Sequence, residues 1–146
     1  MKQIAAALAY IVSMAGVSML AAWGLHGAIL AESPDGEYAH DVWYILPLPI
    51  VVGFAAIAAA LIRWHSRSVL ANVLVCVAWI VLYFHFAIAS TWELAAVGGS
   101  TWKTHELLAA YAFPALYFWI VAFSGLLAIF CLNFWYRGKV IAHAGY

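Results

Sequence analysis

The sequence predicts an all-α, polytopic membrane protein, a bundle of four transmembrane helices with both termini cytoplasmic. Two observations and one physical constraint carry that expectation. Hydrophobic residues make up 68% of the 146-residue chain and charged residues 8%, with a mean hydropathy of +1.00. Soluble globular domains hold only about 45–50% apolar residues. Four stretches, 4–31, 42–62, 69–92 and 107–136, contain no Asp, Glu, Lys or Arg, and each reaches the about 20 residues that cross a hydrocarbon core. In lipid every backbone amide must find its partner inside its own segment, so such stretches are helices.

The first helix is expected over 4–31. Lys2 followed by an apolar run imitates a secretion signal, but the run exceeds the about 7–15 residues of a signal's apolar region, so it reads as a membrane span. It is dotted with Ala9, Ser13, Gly16, Ala21 and Gly24. The second helix, over 42–62, reads "GFAAIAAA" from Gly53 to Ala60, pairing Ala55 with Ala59 and Ala56 with Ala60 at four-residue spacing. Small residues let helix backbones approach closely, which is how membrane helices gain packing energy, so helices 1 and 2 are expected to form a tight hairpin. Pro47 and Pro49 should bend the second helix in its outer half.

The third helix, over 69–92, and the fourth, over 104–136, carry bulkier faces: "WIVLYFHF" from Trp79 to Phe86 and "YFWIVAF" from Tyr117 to Phe123. Those faces suit lipid, a partner subunit or a flat cofactor. The uncharged run 107–136 would measure about 45 Å at about 1.5 Å per residue, against a core of about 30 Å. It must tilt, kink or protrude, with Pro114 and Ser124-Gly125 as soft points. The short connections leave no room for a soluble domain, so residues 1–146 read as one four-helix domain.

Orientation follows from the basic residues, which stay on the cytoplasmic side of short loops. Lys2, Arg63, Arg67, Arg137 and Lys139 fall on one side and Lys103 on the other. This favours a bacterial inner membrane protein, N-in and C-in. All six acids, Glu32, Asp35, Glu37, Asp41, Glu93 and Glu106, lie on the outer side. The neutral total therefore hides an acidic outer face and a basic inner one, and the inner rim suits anionic lipid headgroups. Nothing in the pattern calls for nucleic acid. Trp23, Trp43, Trp92 and Trp102 fall where the outer interface is expected, Trp64 and Trp135 at the inner one; Trp79 and Trp119 fall at mid-depth, packed between helices.

Two segments resemble each other at an offset of sixty-five residues: His40 falls on His105, Asp41 on Glu106 and Pro49 on Pro114. Both pairs sit where a helix enters the membrane from outside. One reading is a pair of ligand-bearing helix mouths, with His40, Asp41, His105 and Glu106 as candidate metal ligands. The plainer reading is that each acid lies in the first turn of its helix and meets the positive end of the dipole, with Asp41 and Thr104 as N-caps.

No Asp, Glu, Lys or Arg lies within a span, which weighs against an ion-coupled transporter, because buried charge is costly and kept for function. His26 on helix 1 and His85 on helix 3 remain, about 6 and 9 Å below the outer boundary. Two imidazoles at similar depth on different helices could ligate a b-type haem or, with the histidines above them, copper. The competing reading is a histidine bonded across helices. Cys76 and Cys131 lack a CxxC arrangement and read as packing residues. Asn72 and Asn133, near the inner ends, read as helix–helix or interfacial bonding groups. Ser90, His105 and Glu106 form a Ser/His/acid set on paper, without an elbow or oxyanion loop to support it.

The function expected from these features is that of a small integral subunit, not an enzyme on its own, which packs among other membrane subunits and lipids. The rival from another class is a redox subunit of a membrane oxidoreductase, binding haem b or copper through His26 and His85 and exchanging electrons with quinol. A third reading is a small facilitator or channel.

Overall fold

A computed structural model describes residues 2–31, 47–66, 68–97, 103–112 and 116–144. The elements are α1 (Lys2–Ala31), α2 (Pro47–Trp64), α3 (Val69–Val97), a single-turn α4 (Thr104–Leu107) running into a π-helical turn (Leu108–Ala112), and α5 (Leu116–Ala144). No strand occurs among the described residues. Three of the helices contain segments long and apolar enough to cross a membrane, Gln3–Gly27, Val69–Trp92 and Leu116–Ala142, and the shorter Leu48–Trp64 is also apolar.

α1 is the hub, packing against α2, α3 and α5. Its interior row is every fourth residue, Tyr10, Met14, Ser18, Ala22 and His26, all buried. Side chains four apart form one ridge of a helix, the ridge that fits a neighbour's groove. Ile4, Leu8, Val12 and Leu20 face outward, as they should where the surroundings are lipid rather than water. α1 packs on α2, and of the small residues on α2 Ala55, Ala58 and Ala59 are buried while Ala56 is exposed. Of the small residues singled out on α1, Ala9, Ser13 and Gly16 also point outward. Smallness alone does not mark the contact face, because Gly and Ala cost little on a lipid-facing surface.

The described part of α2 opens at Pro47, with Pro49 in the same turn; residues 42–46, where the helix was expected to start, lie outside the described residues. Arg63 closes the last turn of α2, where a cation suits the negative end of the helix. The chain reverses at once: Ser68 N donates to His65 O at 2.8 Å. Ser68 Oγ then accepts from Leu70 N at 3.2 Å, capping α3.

The long fourth segment is not regular α-helix throughout. Its first piece is α4 with the π-helical turn, and α5 then runs to Ala144, beyond the expected end at 136. Pro114 lies between the two pieces, outside the described residues. Thr104 is not the N-cap of α4; Lys103 holds that position, and its backbone N donates to Glu106 Oε2 at 2.7 Å. Thr104 Oγ1 accepts instead from Trp92 Nε1 at 3.2 Å.

Ser124-Gly125 is no hinge, since α5 is helical throughout. Gly125 is a packing site: the six-membered ring of Trp79 lies against its backbone, and a Cβ there would fall 2.4 Å from Trp79 Cη2. Trp79 is buried as expected. Trp119 is not; it is 41% exposed on the outward face of α5.

Candidate functional site

The residues of interest are the polar side chains that the bundle takes out of lipid contact. They form three groups along α1. Near the basic end, Tyr10 Oη donates to Asn133 Oδ1 at 2.7 Å, and Tyr10 stacks on Tyr136 with centroids 4.5 Å apart. The Asn133 amide reaches on to Cys76 Sγ at 3.7 Å. One amide therefore ties α1, α3 and α5 together. At mid-depth Trp79 Nε1 donates to Ser18 Oγ at 3.1 Å, and Trp79 stacks on Tyr83 with centroids 5.5 Å apart and planes 17° apart. Tyr83 Oη donates to Phe118 O at 2.7 Å, joining α3 to the first turn of α5.

Toward the opposite end, His26 Nδ1 shares a hydrogen bond of 3.2 Å with Ser90 Oγ, and the ring tautomer decides which group donates. Both residues are buried. Next to them Thr91 Oγ1 donates to Ile88 O within α3. A Ser–His pair is the first requirement of a nucleophilic site. Here the serine lies within a continuous helix, where the neighbouring amides are spent on helix bonds and cannot form an oxyanion hole, and neither side chain opens to solvent. The geometry is that of a cross-helix bond.

The sequence-predicted ligands can now be placed. His26 is interior and engaged with Ser90. His85 is on the outward surface of α3, about 140° round the helix from Ser90 at about 100° per residue. The fold directs the two imidazoles to different faces. His105 and Glu106 are exposed on α4, where the Glu106 carboxylate closes its own first turn. His40 and Asp41 lie outside the described residues. Among the described residues no group of three or more His, Cys, Asp or Glu is placed to hold a metal ion. Ser90, His105 and Glu106 are not assembled either, since Ser90 faces His26. Cys76 and Cys131 are both free thiols.

Sequence reasoning missed the hydroxyl partners: Tyr10, Ser18 and Tyr83, and Ser90 in the role it has here. The signal was available. A Ser or Tyr hydroxyl deep in an apolar span needs a partner, and these four find theirs on another helix. Asn133 was legible as a helix–helix bonding group. Asn72 differs from it: the side chain is buried, yet its Oδ1 has no hydrogen-bond partner among the described residues.

Asn72 lines an apolar groove of about 290 Å³ between α3 and α5. Val73, Val77 and Ile80 form one wall, Leu126, Phe130 and Phe134 the other, and Arg137 closes the end. Its rims are open to the surroundings, with Val73, Val77, Phe130 and Phe134 at least half exposed.

These features define a helical integral membrane protein whose interior is fastened by side-chain hydrogen bonds between helices. No protein-family model, curated protein or solved structure matches the chain.

Proposed function

We propose that this protein is a small integral subunit that packs into and stabilises a larger membrane assembly, presenting the α3/α5 groove to a transmembrane helix of a partner. The observation that carries the proposal is Asn72. A buried acceptor without a donor costs about 1–3 kcal/mol, and a donor from a neighbouring membrane helix recovers about 0.6–1.7 kcal/mol of it. An apolar groove lined by one asparagine fits an apolar helix that carries one polar side chain, such as Ser, Thr or Asn, which a small shift of the buried Asn72 amide would bring within reach. The interior polar groups meanwhile serve the fold of the chain itself.

The same reading has four spans in a bacterial inner membrane with both termini cytoplasmic. Its support is the charge distribution. Arg63 reaches Gln3 near the start of α1, and the Arg137 guanidinium donates to Ser66 O from near the end of α5. Arg63, Arg137 and Lys139 thus gather at one end of the bundle, with Lys103 at the other, the bias expected of a cytoplasmic face. The 18 residues of α2 measure about 27 Å, close to the about 30 Å of a bilayer core.

The redox reading draws less support. A haem held axially between His26 and His85 needs both nitrogens in one gap, and the two residues occupy different faces. A facilitator needs a polar path, whereas Met14, Trp79, Tyr83 and Phe118 are buried in the bundle interior.

The experiment is groove blocking. Val77→Trp adds bulk at a half-exposed position without touching the interior. Purified in mild detergent, the variant is expected to lose its co-purifying membrane partner while keeping the wild-type melting temperature. Retention of the partner at wild-type yield would remove the groove as its seat.

A further inference from the structure

A second cavity, of about 220 Å³, lies at the basic end of the bundle, where α1, the end of α2 and the last turns of α5 meet. Arg63 and Lys139 line it from two different helices, with Gln3, Ser66, Tyr136 and Val140. We infer that this cavity binds a phosphate group, and that the phosphate is the headgroup of an anionic membrane lipid.

Charge is the first argument. Two cations separated by seventy-six positions in sequence converge on one small cavity, and no residue lining it is acidic. The neighbour of the Arg63 guanidinium is a neutral acceptor, Gln3 Oε1, at 3.5 Å, the limit of a hydrogen bond. Among the described residues the acids, Glu93 and Glu106, belong to α3 and α4 at the opposite end of the bundle. The first turn of α1, the positive end of a 30-residue helix, adds to the field at the cavity. Like charges brought together in this way favour an anion between them, and guanidinium and ammonium groups bind phosphate oxygens with charge-assisted bonds.

Position is the second argument. Arg63 and Lys139 lie near the ends of apolar helices, at the level where lipid phosphates sit. Basic pockets between membrane helices at this level take acidic headgroups. The cavity is also pre-formed. The Arg137 guanidinium donates to Ser66 O and fixes that wall to α5, while Tyr136 is held by its stack on Tyr10. Tyr136 and Val140 give the headgroup an apolar flank, on the side where acyl chains would leave. Room for a phosphate with its ester substituents is present; a whole lipid would extend outside.

The test uses the full-length protein in detergent. Native mass spectrometry would compare bound phosphatidylglycerol with phosphatidylcholine of the same acyl chains, for wild type, Arg63→Gln/Lys139→Gln and a Lys103→Gln control from the opposite end. Two cations at a membrane surface lead us to expect a preference of about 30-fold for the anionic lipid in wild type and Lys103→Gln. The double variant should fall to the level of the neutral lipid. Single Lys139→Gln, at an exposed position, gives the same comparison should the double variant melt early. Titration with inorganic phosphate separates the two sources: weak competition against bound phosphatidylglycerol identifies a lipid site. Binding of inorganic phosphate with no lipid preference would overturn the lipid assignment. Equal binding of both lipids with no effect of phosphate, or a preference that survives in the double and single variants, would overturn the site altogether.

Discussion

Trp79→Ala is expected to destabilise the protein more than any other single truncation, by about 2–4 kcal/mol. Trp79 is 1% exposed. It bonds Ser18 through its indole nitrogen, stacks on Tyr83 and fills the space over Gly125. In a water-soluble core such a truncation costs about 3–5 kcal/mol, part of it the transfer of apolar surface from water. That part shrinks in a bilayer, because lipid tails are as apolar as the side chain. The cavity, the lost dispersion contacts and the stranded Ser18 hydroxyl remain. Trp79→Phe, which keeps a ring but loses the bond and part of the ring volume over Gly125, should cost less, about 1–2 kcal/mol. Unfolding titrations in mixed micelles measure both. An unchanged midpoint for Trp79→Ala would mean that α3 does not pack on α1 and α5 as described.

The second large effect is expected at Gly125, where the same contact is tested from the opposite side. Any β-carbon there falls 2.4–2.5 Å from two atoms of the Trp79 ring, closer than side-chain carbons approach. The ring cannot retreat without breaking its bond to Ser18. Gly125→Leu should therefore cost about 1–3 kcal/mol through overpacking, measured in the same titrations. Coupling is the sharper test: combining Gly125→Ala with Trp79→Phe should cost less than the sum of the single changes, because the smaller ring makes room for the methyl group. Strict additivity would mean that the two residues do not touch.

Much of the architecture was legible in the sequence because the bilayer imposes a simple rule, uncharged runs of sufficient length. The runs 4–31 and 69–92 correspond to α1 and α3 within a few residues. The rule says less about where a helix starts or breaks. Pro47 reads equally well as a bend or as a first residue, because proline fits the first turn of a helix as well as a kink within one. The run 107–136 carries no charge to mark where it departs from regular α-helix, yet the π-helical turn lies before Pro114.

Facing directions were harder still. A span buried in lipid on one side and in protein on the other is apolar all round, so no moment shows that His26 points inward and His85 outward. The histidine pair looked like a ligand set because depth can be counted along a chain, whereas azimuth depends on which helices are neighbours. His26 finds Ser90 because α1 packs directly on α3, a pairing that no spacing encodes. The acidic helix start at Glu106 was legible, since a carboxylate three residues past the cap has a local task. Asn72 and Asn133 look alike in sequence; their different satisfaction emerges only when Tyr10 is seen to reach one and not the other.

The central claim, that the α3/α5 groove seats a partner helix, is tested most directly by site-specific photo-crosslinking in the native membrane. A crosslinking residue would be placed at Val73, Val77 or Phe130 in the groove, and at Val12 or Ile57, outward positions on α1 and α2, as controls. One discrete protein adduct from the groove positions, absent from the controls and lost when Val77→Trp is combined with the Phe130 probe, is the predicted result. Adducts to lipid alone at the groove positions, or the same protein adducts from all five positions, would contradict it.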